Sequence, residues 1–217
     1  MILTILILSL AVIFYFLFHP RFGKRPSGER LALIQKSPQY KNAKFENENF
    51  TLELAEGYGY YDVLNQFFFK KVDRKIPTDS IPSVKTNLKD FPLNQDVLIW
   101  FGHSSYFIQL EGKRFLIDPV FSGNASPIYG TTKAFKGTDI YTYDDIPEID
   151  YLLITHDHYD HLDYKTIMEL KPKIKKVITA LGVGSHFEFW GFPSENIIEK
   201  DWHEKIALDQ NLTLYTA

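Results

Sequence analysis

The stretch "LLITHDHYDHLD" (residues 152–163) decides how this chain is read. An apolar run ends in three histidines and three aspartates within eight residues, and the whole chain has only seven histidines. The apolar run predicts a buried strand, and the polar cluster falls where the chain leaves that strand. His156, His158, Asp160 and His161 form H-x-H-x-D-H. Imidazole nitrogens and carboxylate oxygens are the donors zinc prefers. Two histidines one residue apart can turn toward one ion, and the adjacent Asp160 and His161 toward a second. A solvated turn with a helix cap needs one aspartate, Asp163, and leaves three histidines unexplained. Divalent iron and manganese accept the same donors.

Working outward, the C-terminal part reads as strands and helices in alternation. "DVLIWFG" (96–102) predicts a buried strand. "SYFIQL" (105–110) and "RFLIDP" (114–119) predict a hairpin turned at "EGK". A loop of nearly thirty residues follows, and one so long inside a compact domain is usually functional. After the strand at "DYLLITH", Asp163 caps a helix over "YKTIMELK", with Ile167 and Leu170 on one face. "KKVITA" predicts a strand, "GVGSHFEFWGF" a helix, and "NIIEKD" and "LTLYTA" further strands. Hairpins followed by strand–helix alternation predict a mixed sheet covered by helices, an α/β (α+β) fold.

The N-terminal part differs. Residues 2–18, "ILTILILSLAVIFYFLF", carry no charge, and Arg21, Lys24, Arg25 and Arg30 follow. Seventeen residues of helix reach about 25 Å, the lower limit for crossing a bilayer. No basic segment precedes the run, as it would in a cleaved signal. The expectation is an uncleaved transmembrane anchor over residues 1–20, with the flanking charges keeping the globular part cytoplasmic. Residues 21–95 read as a linker and extension with one short helix near 29–35. "YYDVLNQFFFKKV" (60–72) has helical spacing and suits either packing on the core or an aromatic membrane contact. Residues 96–217 form the main domain.

Composition narrows the function. A net charge of −3 argues against a nucleic-acid binder. With no cysteine, disulfides, thiolate zinc sites and a cysteine nucleophile are excluded. "GVG" (182–184) lacks the remainder of a phosphate-binding glycine loop. Oligomeric state is open, and a homodimer is compatible with the sequence.

The motif T155-H156-D157-H158-Y159-D160-H161 resembles the signature of the metallo-β-lactamase fold superfamily, αββα sandwiches of hydrolases with one or two zincs. "WFGHSSYFIQLEGKRFLIDPVFSGNASP", "LLITHDHYDHLDY" and "IEKDWHE" are similar to the branch of N-acylphosphatidylethanolamine-hydrolysing phospholipase D and its bacterial relatives. The resemblance covers residues 97–217 and implies two zinc ions. His156 and His158 would hold the first, and Asp160 and His161 the second. It makes Asp160 the catalytic carboxylate, places Tyr159 at the substrate, and puts Asp118 beneath the metals as an orienting partner. His103 lies near the site, and a backbone-bonded turn residue is its simpler reading. His186 reads as a surface or packing residue, His203 as structural, and His19 as part of the membrane boundary.

The family pattern needs a third histidine, a bridging aspartate and a last histidine after the point where this sequence stops. The expectation is therefore the N-terminal half of the sandwich, which alone binds zinc weakly, exposes apolar sheet and turns over little. The implied activity of the full-length protein is zinc-dependent hydrolysis of a phospholipid phosphodiester. The alternatives are a lactonase or esterase acting on a soluble metabolite, and a non-catalytic, membrane-tethered fragment.

Overall fold

The computed structural model describes residues 2–217. Met1, the first residue of the expected anchor, lies outside them. Helix α1 (Ile2–Phe18) is followed by α2 (Gly28–Ile34), a small hairpin of β1 (Tyr40–Lys41) and β2 (Lys44–Phe45), and α3 (Tyr60–Phe69). The main sheet then begins with β3 (Val97–Gly102), β4 (Ser105–Leu110) and β5 (Lys113–Ile117). It continues through β6 (Ile149–Ile154), α4 (Tyr164–Leu170), β7 (Ile174–Ala180), α5 (Gly184–Phe189) and β8 (Ile197–Lys200). A separate hairpin, β9 (Lys205–Ala207) with β10 (Thr213–Tyr215), closes the described chain.

The six strands β3 to β8 lie in sequence order in one mixed sheet. The β3–β4 and β4–β5 pairs are antiparallel, and β5–β6, β6–β7 and β7–β8 are parallel. Parallel neighbours need a crossover, which the loop after β5 and helices α4 and α5 supply. Two successive antiparallel pairings bring β3 back into the direction of β5. The exits of β3, β5, β6 and β7 therefore share one edge of the sheet, and that edge carries the site.

Alternation along each strand sends side chains to two faces. One face packs Phe107, Leu116, Leu152 and Val177 against Ile167 and Leu170 of α4 and Phe187 of α5, all fully buried. The other face carries Phe115, Tyr151 and Ile178 and is covered in part by Ile206, Leu208, Leu212 and Leu214 of the terminal hairpin. Leu98 and Trp100 on that face remain about two-thirds exposed, at 63% and 62%.

The apolar N-terminal run does form a helix, and its described side chains face outward. The transmembrane reading is corrected: among the described residues, no helix is long and apolar enough to cross a membrane. The seventeen residues of α1, about 25 Å of rise, stop at the lower limit and short of the roughly twenty that a hydrocarbon core of about 30 Å calls for. Helix α3 forms as expected but buries none of its residues, so packing on the core is ruled out for it.

The segment read as a linker is instead bound to the domain. Trp190 Nε1 donates to Pro20 O at 2.8 Å. Arg30 donates to both carboxylate oxygens of Glu188 at 2.7 and 2.9 Å, and to Glu199. Ile34 is buried, and its Cδ1 packs so closely on Gly182 that a Cβ there would stand 2.9 Å away. Composition marked this stretch as polar and flexible, yet several of its anchors are backbone groups, which composition does not register.

Candidate metal centre

The site is built from turns that leave parallel strand ends. Asp118 follows β5, residues 155–163 follow β6, and His103 follows β3. Asp118 and His103 both have positive φ, 41° and 46°, a conformation few non-glycine residues adopt and one that concentrates at functional sites.

Asp118 is the buried pivot, with 1% of its surface exposed. Its Oδ1 accepts the Thr155 backbone N–H at 2.8 Å, and its Oδ2 accepts the Thr155 hydroxyl at 2.7 Å. Oδ2 also lies 2.8 Å from His161 Nδ1. That contact puts the His161 proton on Nδ1 and leaves Nε2 free to face a metal. Thr155, which the sequence did not single out, thereby ties the start of the motif to the end of β5.

The donor atoms converge. His156 Nε2 and His158 Nδ1 are 3.1 Å apart. Two nitrogens on a tetrahedral ion at about 2.0–2.1 Å would stand roughly 3.3 Å from each other. Beside them, His103, Asp160 and His161 each offer one ligand atom within 4.8 Å of the others. His103 Nε2 is 3.0 Å from Asp160 Oδ2, and His161 Nε2 is 3.8 Å from it. The rings of His156 and His161 are 3.9 Å apart between centroids, which joins the two groups. The His103, Asp160 and His161 atoms thus fit one divalent metal, and His156 and His158 present adjacent nitrogens beside them.

Charge states agree with ligation. Burial, followed by the neighbouring His161 and His158, holds His156 below its usual range, in the neutral form that binds metal. Burial works to raise the Asp160 carboxyl, but its own backbone N–H and the His103 ring outweigh that and hold it below the usual carboxylate range.

His156, His158, Asp160, His161 and Asp118 are brought together. His103 is more than a backbone-bonded turn residue: its ring lies on Asp160, while its backbone carbonyl accepts the Trp100 indole N–H. The antiparallel return of β3 puts it there, and no local spacing announces it. Tyr159 points away into a cavity of about 360 Å³ that also involves Arg21, Asn124, Tyr129 and Tyr164. Burial, and then the Asp163 charge, push its phenol up to about 12. His203 lies on Glu48, away from the cluster. His19 accepts from the Arg21 side chain. His186 is not an idle surface residue, for it reaches Asp157. The backbone N–H groups of Gly182 and Gly184 both bond Glu199 Oε1, so that glycine turn binds a carboxylate of its own chain.

Residues 113–217 match a family model described as the beta-lactamase superfamily domain. An uncharacterised protein of Mycobacterium tuberculosis is 31% identical over 189 residues, covering 82% of this chain and 48% of that protein. The N-acyl-phosphatidylethanolamine-hydrolyzing phospholipase D 1 of Caenorhabditis elegans is 30% identical over 147 residues, 64% of this chain and 41% of that one. A metal-dependent hydrolase of Caldivirga maquilingensis is 38% identical over 65 residues, 30% of this chain and 23% of its own length. The chain spans about half the length of the mycobacterial relative.

Proposed function

We propose that this chain, whose residues 113–217 match the beta-lactamase superfamily domain, carries the histidine-rich metal site of a metal-dependent hydrolase. Its metal is zinc, held as a pair, and its substrate is a phospholipid phosphodiester of the N-acylphosphatidylethanolamine kind. The observation that carries the hydrolase reading is the convergence of five donor side chains at one sheet edge, held from below by buried Asp118. The nematode phospholipase supports the substrate class, and the Caldivirga hydrolase supports the metal dependence.

When bound, divalent ions supply Lewis acidity and an acidified water. The chain's own groups do the remaining work. Neutral His156 and His158 present adjacent nitrogens. Asp160, held ionised, brings negative charge among the imidazoles as ligand and catalytic carboxylate. Asp118 fixes the His161 tautomer and the backbone of Thr155. Tyr159 lines the neighbouring cavity with Tyr129 and Tyr164, an aromatic wall suited to the apolar part of a substrate.

A lipid surface as partner is favoured by α1, whose apolar side chains face outward and are followed by Arg21, Lys24 and Arg25. These charges suit the anionic cytoplasmic leaflet. The test uses the full-length protein with vesicles containing N-acylphosphatidylethanolamine, and a soluble ester or lactone alongside. His156→Ala and His161→Ala should each abolish release of phosphatidic acid. Deleting residues 2–18 should depress the vesicle reaction far more than the soluble one. Full activity in both histidine variants would refute the hydrolase reading. Preference for the lactone would move the assignment to a soluble-metabolite hydrolase.

A further inference from the structure

His186 is held at both ring nitrogens. The Lys24 backbone N–H donates to its Nδ1 at 3.0 Å, and its Nε2 lies 3.4 Å from Asp157 Oδ2. An acceptor at Nδ1 places the proton on Nε2, so the ring donates to Asp157. Among the described residues, His186 is the one side chain bonded to that carboxylate. Asp157 stands between His156 and His158, so the bond restrains the short, irregular piece of backbone that presents both.

The other end of this contact is firmly seated. Ser185 Oγ donates to Lys24 O at 2.6 Å, and Trp190 Nε1 donates to Pro20 O at 2.8 Å. The His186 ring stacks on Trp190 with centroids 5.8 Å apart, and its side chain is 14% exposed. Gly23 sits at φ +64°, and a Cβ there would lie 1.8 Å from His186 Nδ1, so the chain passes over the ring only as glycine. Residues 20–24, helix α5 and the H-x-H backbone are therefore one connected unit.

We propose that His186 is a positioning residue through which the seated N-terminal segment, residues 20–24, holds the His156–His158 loop in its metal-binding shape. This rests on the metal reading above and adds that the N-terminal segment is part of the site's support. Loss of an outer partner of a metal site costs about 10–100-fold in affinity. The link here acts one residue from the ligands, so the lower end applies.

The experiment measures Zn²⁺ affinity of the full chain by competition with a chelating dye, with thermal unfolding of the metal-free chain as control. His186→Ala and Asp157→Ala should each weaken binding about tenfold, and the double variant no further. Gly23→Ala should weaken it comparably. His186→Gln, whose amide offers one acceptor and one donor, should recover most of the loss while melting as His186→Ala does. Wild-type affinity in His186→Ala overturns the proposal. So does a glutamine variant as weak as alanine, or losses that add in the double variant. A wild-type chain that takes up no divalent ion defeats the metal reading itself, which is a separate result.

Discussion

Asp163 closes the histidine motif, and its replacement by alanine gives the sharpest stability test. The carboxylate is fully buried. Its Oδ1 accepts the Lys165 backbone N–H at 3.1 Å and caps α4. Its Oδ2 accepts the Ser122 backbone N–H at 3.0 Å and the Thr166 hydroxyl at 2.6 Å. The Thr166 hydroxyl oxygen in turn accepts the Phe121 N–H at 2.8 Å. One side chain thus joins the loop after β5 to the first turn of α4. Loss of the cap costs about 1 kcal/mol. The two other donors, left buried without an acceptor, cost about 1 kcal/mol each or somewhat more. A total of about 3 kcal/mol corresponds to a fall in Tm of about 6–12 °C for a chain of this size. Asp163→Asn, which keeps an acceptor oxygen, should lose about a third as much. Thermal unfolding followed by circular dichroism, with chelator present to keep metal out of the comparison, measures both. A Tm for Asp163→Ala within about 2 °C of the parent would refute this accounting and show that the loop and helix are held by other contacts.

The Arg30 fork gives a pH prediction. Hydrogen bonding from Arg30 holds Glu188 well below its ordinary value, at about 2. A depressed carboxylate contributes stability that is present above its unfolded value near 4.5 and lost as pH falls toward 2. Because the Glu188 side chain is 36% exposed, solvent screening limits the contribution to about 1 kcal/mol. Arg30→Ala should therefore lower the urea midpoint at pH 7, and the gap to the parent should shrink between pH 4.5 and pH 2; a gap that stays constant down to pH 2 contradicts this. At the metal centre, His103→Ala should leave the first ion in place and weaken the second about tenfold, read as bound zinc per chain by elemental analysis across a buffered series. Two equivalents held with unchanged affinity would mean that His103 does not ligate.

The sheet was legible where burial wrote an apolar run, as at 149–154, and the hairpin around "EGK" announced itself by its turn. At 97–102 the strand formed but the expected burial did not, because β3 is the edge strand and leaves Leu98 and Trp100 exposed. The helix after Asp163 was legible because a cap and an apolar face coincide there. Strand β9 was not, since three residues with only Ile206 buried leave no periodicity to read. The cluster at 156–161 was legible because its donors are local. His103 was placed near the site only by family resemblance, and the contact of His186 with Asp157 was not legible, for their partners lie 57 and 29 residues away and meet them through the common direction of the strand exits. The binding of residues 19–37 to the domain escaped notice for a related reason: glycine, proline and basic residues look the same in a tether as in a segment fastened by its main-chain atoms.

The shared edge of β3 and β6 has a kinetic consequence. The exits that carry His103 and His161 become neighbours only after every pairing between them has formed, and contacts this distant in sequence are slow to close. An ion that needs donors from both can grip only the finished sheet, so it adds RT ln(1 + [ion]/Kd) to the native state and nothing to partly zipped precursors. An ion held by both His103 and His161 should accordingly slow unraveling while leaving the rate of refolding unchanged.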